Sequence, residues 1–536
     1  MFVLRKSVVF ALCAVFCAAS AAMAQSDSCA AVRNIPTAGA TIEQTELVPV
    51  GGAVSSSPTL PPFPKEWTFP AFCRVRGVLR ARTGADGTQY GIHFELRLPT
   101  PWNGKFLFQG GGGTDGVVQP ALGLVNFKDS PALSRGYAVV TTDSGHTGSA
   151  NTAFGHEQQA RLDFAYNAFG EVTRAAKQII ESYYRKPAGH SYFAGCSNGG
   201  REAMIAVQDY PLEFDGAVAG DPGFDLAHAA IAEAWDTETF NSIAPADSQN
   251  RPILGKAFSN DDLSLVAKAV LDKCDALDGL RDGIVNNFAA CHFDLETLVC
   301  AGEKTPQCLS RQQVDALKRS FNGARDSKGS PLYASWPYDT GIADMGWRGW
   351  KLGYSQTAQA NAMNATLGAH ALSDYFVHPY LPSLDTAHLD YDKISSQVEA
   401  THAINDPTGT DLTTFAARGG KLLIYEGLSD PVFSANDLIA YYDRFAADNG
   451  GLQNARSIAR LFLVPGMTHC GGGLATDEFD ALDALEKWVE EGKAPDSIRA
   501  TGRAFPHRSR PLCPYPQYAS YNGSGDPEDA ASFTCE

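Results

Sequence analysis

Apolar residues along this chain follow two rhythms, separated by a long stretch that follows neither. Phe72 to Arg82 and Tyr90 to Leu98 are β-like in pattern and flank the turn Thr83-Gly84-Ala85-Asp86-Gly87, which predicts two joined strands. Short, wholly apolar runs come next: Phe106-Leu107-Phe108, Tyr137 to Thr141, Tyr192-Phe193-Ala194 and Ala217-Val218-Ala219. Runs of this kind read as strands covered on both faces. Phe164 to Tyr184 instead repeats its apolar residues at helical spacing. From about 221 to 415 the alternation is lost, in a region with Trp336, Trp347, Trp350, many turns and two close cysteine pairs. It resumes with a strand at Lys421 to Tyr425, a helix over Ala435 to Ala446, a strand at Leu461 to Val464 and a helix over Phe479 to Glu490. Residues 25 to about 70, rich in Pro, Gly and Ser, predict an extended N-terminal segment. The pattern predicts an α/β sheet protein whose core is built from residues 25–220 and 416–536, with a lid inserted over 221–415.

The run Tyr192 to Ala194 leads into Gly195-Cys196-Ser197-Asn198-Gly199, and a helix-like run, Glu202 to Gln208, follows at once. Strand, G-x-S-x-G and helix in that order form a nucleophile elbow, a turn so tight that only small residues fit beside the serine. A serine hydroxyl is a weak nucleophile at neutral pH and needs a histidine to take its proton and a carboxylate to orient that histidine. On an elbow of this type they follow in the order Ser, acid, His, each after a strand. The strand at Leu422 to Tyr425 runs into Ser429-Asp430-Pro431, and the strand at Leu461 to Val464 runs into Gly466-Met467-Thr468-His469-Cys470. Asp430 and His469 therefore stand where acid and base belong. A rival pair, Asp143 and His146, precedes the serine, the wrong order for this arrangement.

Composition narrows the setting. The 536-residue chain is 44% hydrophobic and 19% charged, as soluble globular proteins are, with a formal charge of −17. That balance disfavours nucleic acid and anionic membrane as partners. Residues 1–24 read as a signal peptide: Arg5 and Lys6, the apolar run Val8 to Ala22, then Ala22-Met23-Ala24 as a cleavage site. The mature protein is expected to be secreted or periplasmic. Ten cysteines then remain, Cys29, Cys73, Cys196, Cys274, Cys291, Cys300, Cys308, Cys470, Cys513 and Cys535. An even number in an oxidising compartment implies disulfides, and no C-x-x-C suggests zinc. Cys196 directly precedes the serine and Cys470 directly follows the histidine. A triad sets those loops side by side, so a Cys196–Cys470 bond would pin nucleophile to base and close a loop worth roughly 5–6 kcal/mol at most.

Adjacent Cys-Ser and His-Cys with an aspartate between them resemble the tannase and feruloyl esterase family, which includes hydrolases of mono(2-hydroxyethyl) terephthalate. The resemblance covers nearly the whole mature chain, including Gly110–Gly113, Asp143-Ser144-Gly145-His146, Gly195–Arg201, Ser429-Asp430-Pro431 and Gly466–Cys470. It implies an α/β-hydrolase core, a lid and ester hydrolysis through an acyl-enzyme. The oxyanion hole needs two backbone N–H groups: Asn198 for one, Gly111 or Gly112 for the other. Asp275, Asp278 and Asp282, spaced by turn glycines, suit a hard cation. The family places Ca²⁺ on a similar loop, which implies side-chain ligation by these three and carbonyl ligation by Leu280 and Ile284. Cys274 and Cys291 would staple the loop, and the metal is expected to be structural. Phe433 should face the site, with Trp347 and Trp350 stacking from the lid. The expected substrate is a small aromatic ester with a hydroxycinnamoyl, galloyl or terephthaloyl group. The rival classes are a secreted peptidase and a binding protein on an inactive hydrolase scaffold.

Overall fold

The computed structural model describes residues 27–37, 39–52, 67–125, 130–149, 151–382, 384–386 and 388–536. The expected signal peptide lies outside them. Nine strands form one sheet: β1 (Ala40–Val48), β2 (Ala71–Thr83), β3 (Gln89–Thr100), β4 (Lys105–Gln109), β5 (Ala138–Thr142), β6 (His190–Cys196), β7 (Gly216–Gly220), β8 (Lys421–Gly427) and β9 (Ala459–Val464). Their order is β1-β2-β3-β5-β4-β6-β7-β8-β9. β1, β2, β3 and β5 pair antiparallel in succession, and every pairing from β5 to β9 is parallel. This is the α/β sheet that the strand and helix pattern predicts, in the α/β-hydrolase form that the family resemblance implies.

The parallel strands are apolar because helices cover both faces. The helices around the site are α1 (Ala168–Tyr184), α2 (Asn198–Asp209), α3 (Leu226–Asn241), α4 (Tyr391–Asn405), α5 (Ala435–Asp448) and α6 (Ala481–Glu491). Residues alternate between two cores. Phe106, Phe108, Phe193, Ala217 and Ile424 pack with α1, α2 and α5, whereas Leu107, Tyr192, Ala194, Val218 and Leu423 pack with α6. Between β7 and β8 the chain is helical and irregular, and α3 and α4 share a third core there that reaches Phe154, Phe164 and Phe433. No described helix is long and apolar enough to cross a membrane.

The N-terminal stretch differs from expectation. It is not simply extended: Ala40–Val48 forms β1, an edge strand paired to β2, and Cys29–Cys73 ties the segment before it to that strand. All ten cysteines are paired, as Cys29–Cys73, Cys196–Cys470, Cys274–Cys291, Cys300–Cys308 and Cys513–Cys535.

Candidate active site

Ser197 caps α2 where β6 ends, with φ 64° and ψ −127°. A positive φ is costly for any residue with a side chain, and such strain concentrates at functional turns. The glycines around it are required by crowding. A Cβ on Gly195 would lie 2.6 Å from the carbonyl carbon of Gly199, and one on Gly199 would lie 2.7 Å from the Gly111 oxygen. G-x-S-x-G therefore lets backbone meet backbone beneath the serine.

Asp430 follows β8 and His469 follows β9. His469 Nδ1 lies 2.6 Å from Asp430 Oδ2, and the other carboxylate oxygen accepts the N–H groups of Val432 at 2.6 Å and Phe433 at 3.0 Å. Burial pulls the His469 pKa down, but Asp430, with Asp221 and Glu233 behind it, holds it above the ordinary histidine value. His469 Nε2 is buried with no partner among the described residues. It is not hydrogen-bonded to Ser197 here, and such bonds are often long in a substrate-free enzyme. The Cys196–Cys470 disulfide, with Cα atoms 5.9 Å apart, joins the neighbour of the serine to the neighbour of the histidine.

The surrounding polar residues are less evident from sequence. Asp221, at the end of β7, accepts the Gly427 N–H at 2.7 Å and the Cys470 N–H at 2.9 Å, so one buried side chain fixes the loops of both acid and base. Burial, then the charge of Asp430, pushes its carboxyl up to about 8. Asp339, from the inserted region, accepts the Ser429 hydroxyl at 2.8 Å and the Gly466 N–H at 2.6 Å. Asp115 and Glu202 brace the glycine loop. Ser144 Oγ donates to Asp115 at 2.8 Å, Asn198 Nδ2 donates to both carboxylates, and the Gly111 N–H donates to Glu202 at 2.9 Å. Burial lifts Asp115 to about 6.

That last bond corrects one expectation. Gly111 already spends its N–H on Glu202, which leaves Gly112 as the donor of the expected pair. The rival pair also fails to assemble. Asp143 bonds His93 Nδ1 at 2.7 Å, while His146 is buried against Phe154 with ring centroids 3.8 Å apart, and burial pulls its pKa to about 4.

A cavity opens beside Ser197, lined by Asn198, Trp350, Phe376, Phe433 and Glu233 among others. The Trp350 and Phe433 rings stand in T-shaped contact with the His469 ring, with centroids 5.3 and 5.4 Å away. Trp347 is a second correction. It is 2% exposed, packs against Phe240 in the core of the inserted region and does not line this cavity.

In the acidic loop, Asp275 accepts the N–H groups of Asp282 and Gly283 at 3.1 Å each. Asp278 accepts from Leu280 and Asn286, and Asp282 accepts from Ile284 and pairs with Arg510. Burial, with Asp282 and Asp275 nearby, raises the Asp278 carboxyl above its usual range. Cys274–Cys291 closes the loop.

Known proteins resemble this chain over most of its length. The family model for tannase and feruloyl esterase matches residues 73–536. A mono(2-hydroxyethyl) terephthalate hydrolase from Piscinibacter sakaiensis is 42% identical over 87% of this chain and 85% of its own. A probable feruloyl esterase from Arthroderma benhamiae is 30% identical over 98% and 97%. The crystal structure of feruloyl esterase B from Aspergillus oryzae superposes with a TM-score of 0.79 at 26% identity, covering 95% of this chain and all of that one. With a family match over most of its length and a serine, histidine and aspartate at the ends of the expected strands, this chain belongs to the tannase and feruloyl esterase family and is a carboxylic ester hydrolase.

Proposed function

We propose that the protein cleaves esters of aromatic carboxylic acids through an acyl-enzyme on Ser197. The observation that carries this reading is the covalent tie between the neighbours of Ser197 and His469, with His469 held on Asp430 at 2.6 Å. Ser197 Oγ attacks the ester carbonyl as its proton passes to His469 Nε2. The N–H groups of Asn198, in the unpaired first turn of α2, and Gly112 take the oxyanion. His469 returns the proton to the departing alcohol. Water, deprotonated by the same nitrogen, then releases the acid and restores the serine. Asp430 orients the imidazole and stabilises its charged form.

An aromatic acyl group is supported by the wall of the cavity, which includes the rings of Trp350, Phe433 and Phe376. Hydroxycinnamoyl and galloyl esters fit the family. A terephthalate monoester is the second reading, favoured by the 42% identical relative. The acidic loop supports a structural Ca²⁺. Its donors are all oxygen, the set a hard cation takes, although Asp282 is already paired with Arg510. Asp275, Asp278 and Asp282 would hold it with the carbonyls of Leu280 and Ile284. Five disulfides and the charged-then-apolar N-terminus support export, with cleavage near Ala24.

The test is hydrolysis of methyl ferulate, methyl gallate and mono(2-hydroxyethyl) terephthalate by wild type and Ser197→Ala, with mass spectrometry of the quenched protein. An acyl adduct on Ser197, absent in a folded and inactive variant, is expected. Substantial turnover by Ser197→Ala would overturn the nucleophile, and no turnover of any of the three esters would overturn the substrate class.

A further inference from the structure

One acid in the cavity beside Ser197 is hydrogen-bonded to none of the triad residues. Leu226, Ala230 and Glu233 occupy positions i, i+4 and i+7 of α3, so one face of that helix forms a wall of the cavity. Two of the three are apolar. The third is an acid, 7% exposed, whose carboxyl makes no hydrogen bond with any described residue. Opposite it the chain makes room. A Cβ on Gly368, which also lines the cavity, would lie 1.8 Å from Glu233 Oε2.

Charged neighbours do not account for it. Lys351 is already paired with Asp236, and Asp430 with His469. Burial instead lifts the Glu233 carboxyl to about 8, against the pull of Lys351. A buried polar group without a partner costs stability, so an apolar residue would serve a purely structural wall better. Such a group is explained when a ligand supplies the missing bond.

We propose that Glu233 is the specificity-determining residue of the acyl cavity, hydrogen-bonding a hydroxyl carried on the aromatic ring of the substrate. This rests on the aromatic-ester reading above. A phenolic O–H can donate to the carboxyl, and a carboxyl that keeps its proton can donate back to a neighbouring ring oxygen. Vicinal ring hydroxyls satisfy both of its oxygens. A ring carboxylate would bring a second acidic group against a buried one, and two such groups resist joint ionisation. The inferred class is therefore esters of ring-hydroxylated aromatic acids, preferred over unsubstituted rings.

The test is the ratio of kcat/KM for methyl 3,4-dihydroxycinnamate to that for methyl cinnamate. A site built to bond a hydroxyl rejects the analogue lacking it, so wild type should favour the hydroxylated ester by about tenfold or more. Glu233→Leu should bring the ratio to about one. Gly368→Ala reaches the same point by another route. Its backbone is helical, with φ −61° and ψ −47°, so alanine is accepted while its methyl displaces the carboxyl. Melting curves identify a variant that fails to fold, and the other then gives the answer. A loss confined to the ratio supports the proposal, because a general packing defect would slow both esters together. Equal rates on the two esters in wild type, or a preference kept in a folded variant, would overturn the role of Glu233 and leave the aromatic-ester reading intact. Cleavage of p-nitrophenyl acetate but of neither cinnamate ester would instead overturn that reading.

Discussion

The two halves of the sheet each hold a histidine on an aspartate, and only one of the pairs is proposed as a catalytic dyad. In the antiparallel half, His93 Nδ1 of β3 lies 2.7 Å from Asp143, just after β5. In the parallel half, His469 Nδ1 lies 2.6 Å from Asp430. Distance does not separate them. The His93 side chain is 36% exposed, against 8% for His469. His469 is bracketed by two aromatic rings beside the serine cavity and is tied to the elbow by a disulfide. His93 holds the β3–β5 junction, where Asp143 also accepts the N–H groups of His93 and Gly145. The ends of the parallel strands collect reactive groups, whereas the antiparallel half uses the same chemistry as a fastener.

The strongest way to break this comparison is to remove each carboxylate's charge. Asp430→Asn should lower kcat/KM by roughly 10⁴-fold, as loss of the orienting acid does in other triads. Asp143→Asn should cost less than about tenfold and act mainly through stability. Ester kinetics on both variants, with melting curves, decide it, and equal kinetic losses would erase the distinction.

The disulfides offer a second contrast. Replacing Cys196 and Cys470 by alanine should lower kcat by roughly 10²-fold at a temperature where circular dichroism shows the fold intact, because a displacement of about 1 Å is enough. Replacing Cys29 and Cys73, which tie the antiparallel half, should lower the melting temperature and spare kcat of the folded enzyme. A near-wild-type kcat without the Cys196–Cys470 bond would reduce that bond to a staple.

Acidity sharpens the comparison further. His469 must be neutral to accept a proton, and its pKa is raised, so kcat/KM should fall about tenfold per pH unit below an apparent pKa above about 6.5. The His93 pKa is also raised, chiefly by its bond to Asp143. A raised folded-state pKa stabilises fully below the unfolded value near 6.5 and stops doing so as pH climbs through the folded value. Asp143→Asn should therefore remove part of the stability lost across that window and leave the kinetic pH profile in place. Denaturant titrations and rate profiles over pH 5 to about 9 separate the two.

The smallest effect belongs to the acidic loop, which lies in neither half of the sheet. EDTA should lower the melting temperature by a few degrees, the size of linkage to a well-populated site. Rates at low temperature should be unchanged. Purified protein without bound calcium would remove the metal from the picture.

What the sequence revealed follows from where each signal originates. Buried parallel strands are written as solid apolar runs, so β4 to β9 were legible, as was the elbow, whose glycines answer to backbone crowding. β1 was not. It lies at the sheet edge with only Val48 buried, so its residues carry little hydrophobic pattern. Chain order and strand ends pointed to Ser197, Asp430 and His469, which the fold places at the ends of β6, β8 and β9. Asp221, Asp339 and Glu202 were missed, since a carboxylate that braces a distant loop looks like any other acid until the chain is folded. Trp347 and Trp350 are three residues apart on one short helix, and composition could not tell core from cavity wall. Glu233 had a faint signal, a lone acid within Leu226-Ala227-His228-Ala229-Ala230-Ile231-Ala232-Glu233-Ala234-Trp235.

The Cys196–Cys470 bond also bears on when the enzyme becomes competent. Its two cysteines are 274 positions apart, so the nucleophile is made long before the base. In a reducing compartment nothing covalent joins them, and thiols pair only where oxidation is allowed. A bond of this kind couples the alignment of the reacting groups to location as well as to folding. Under the export proposed above, the alignment that this bond gives would be complete only after the chain has left the compartment that made it.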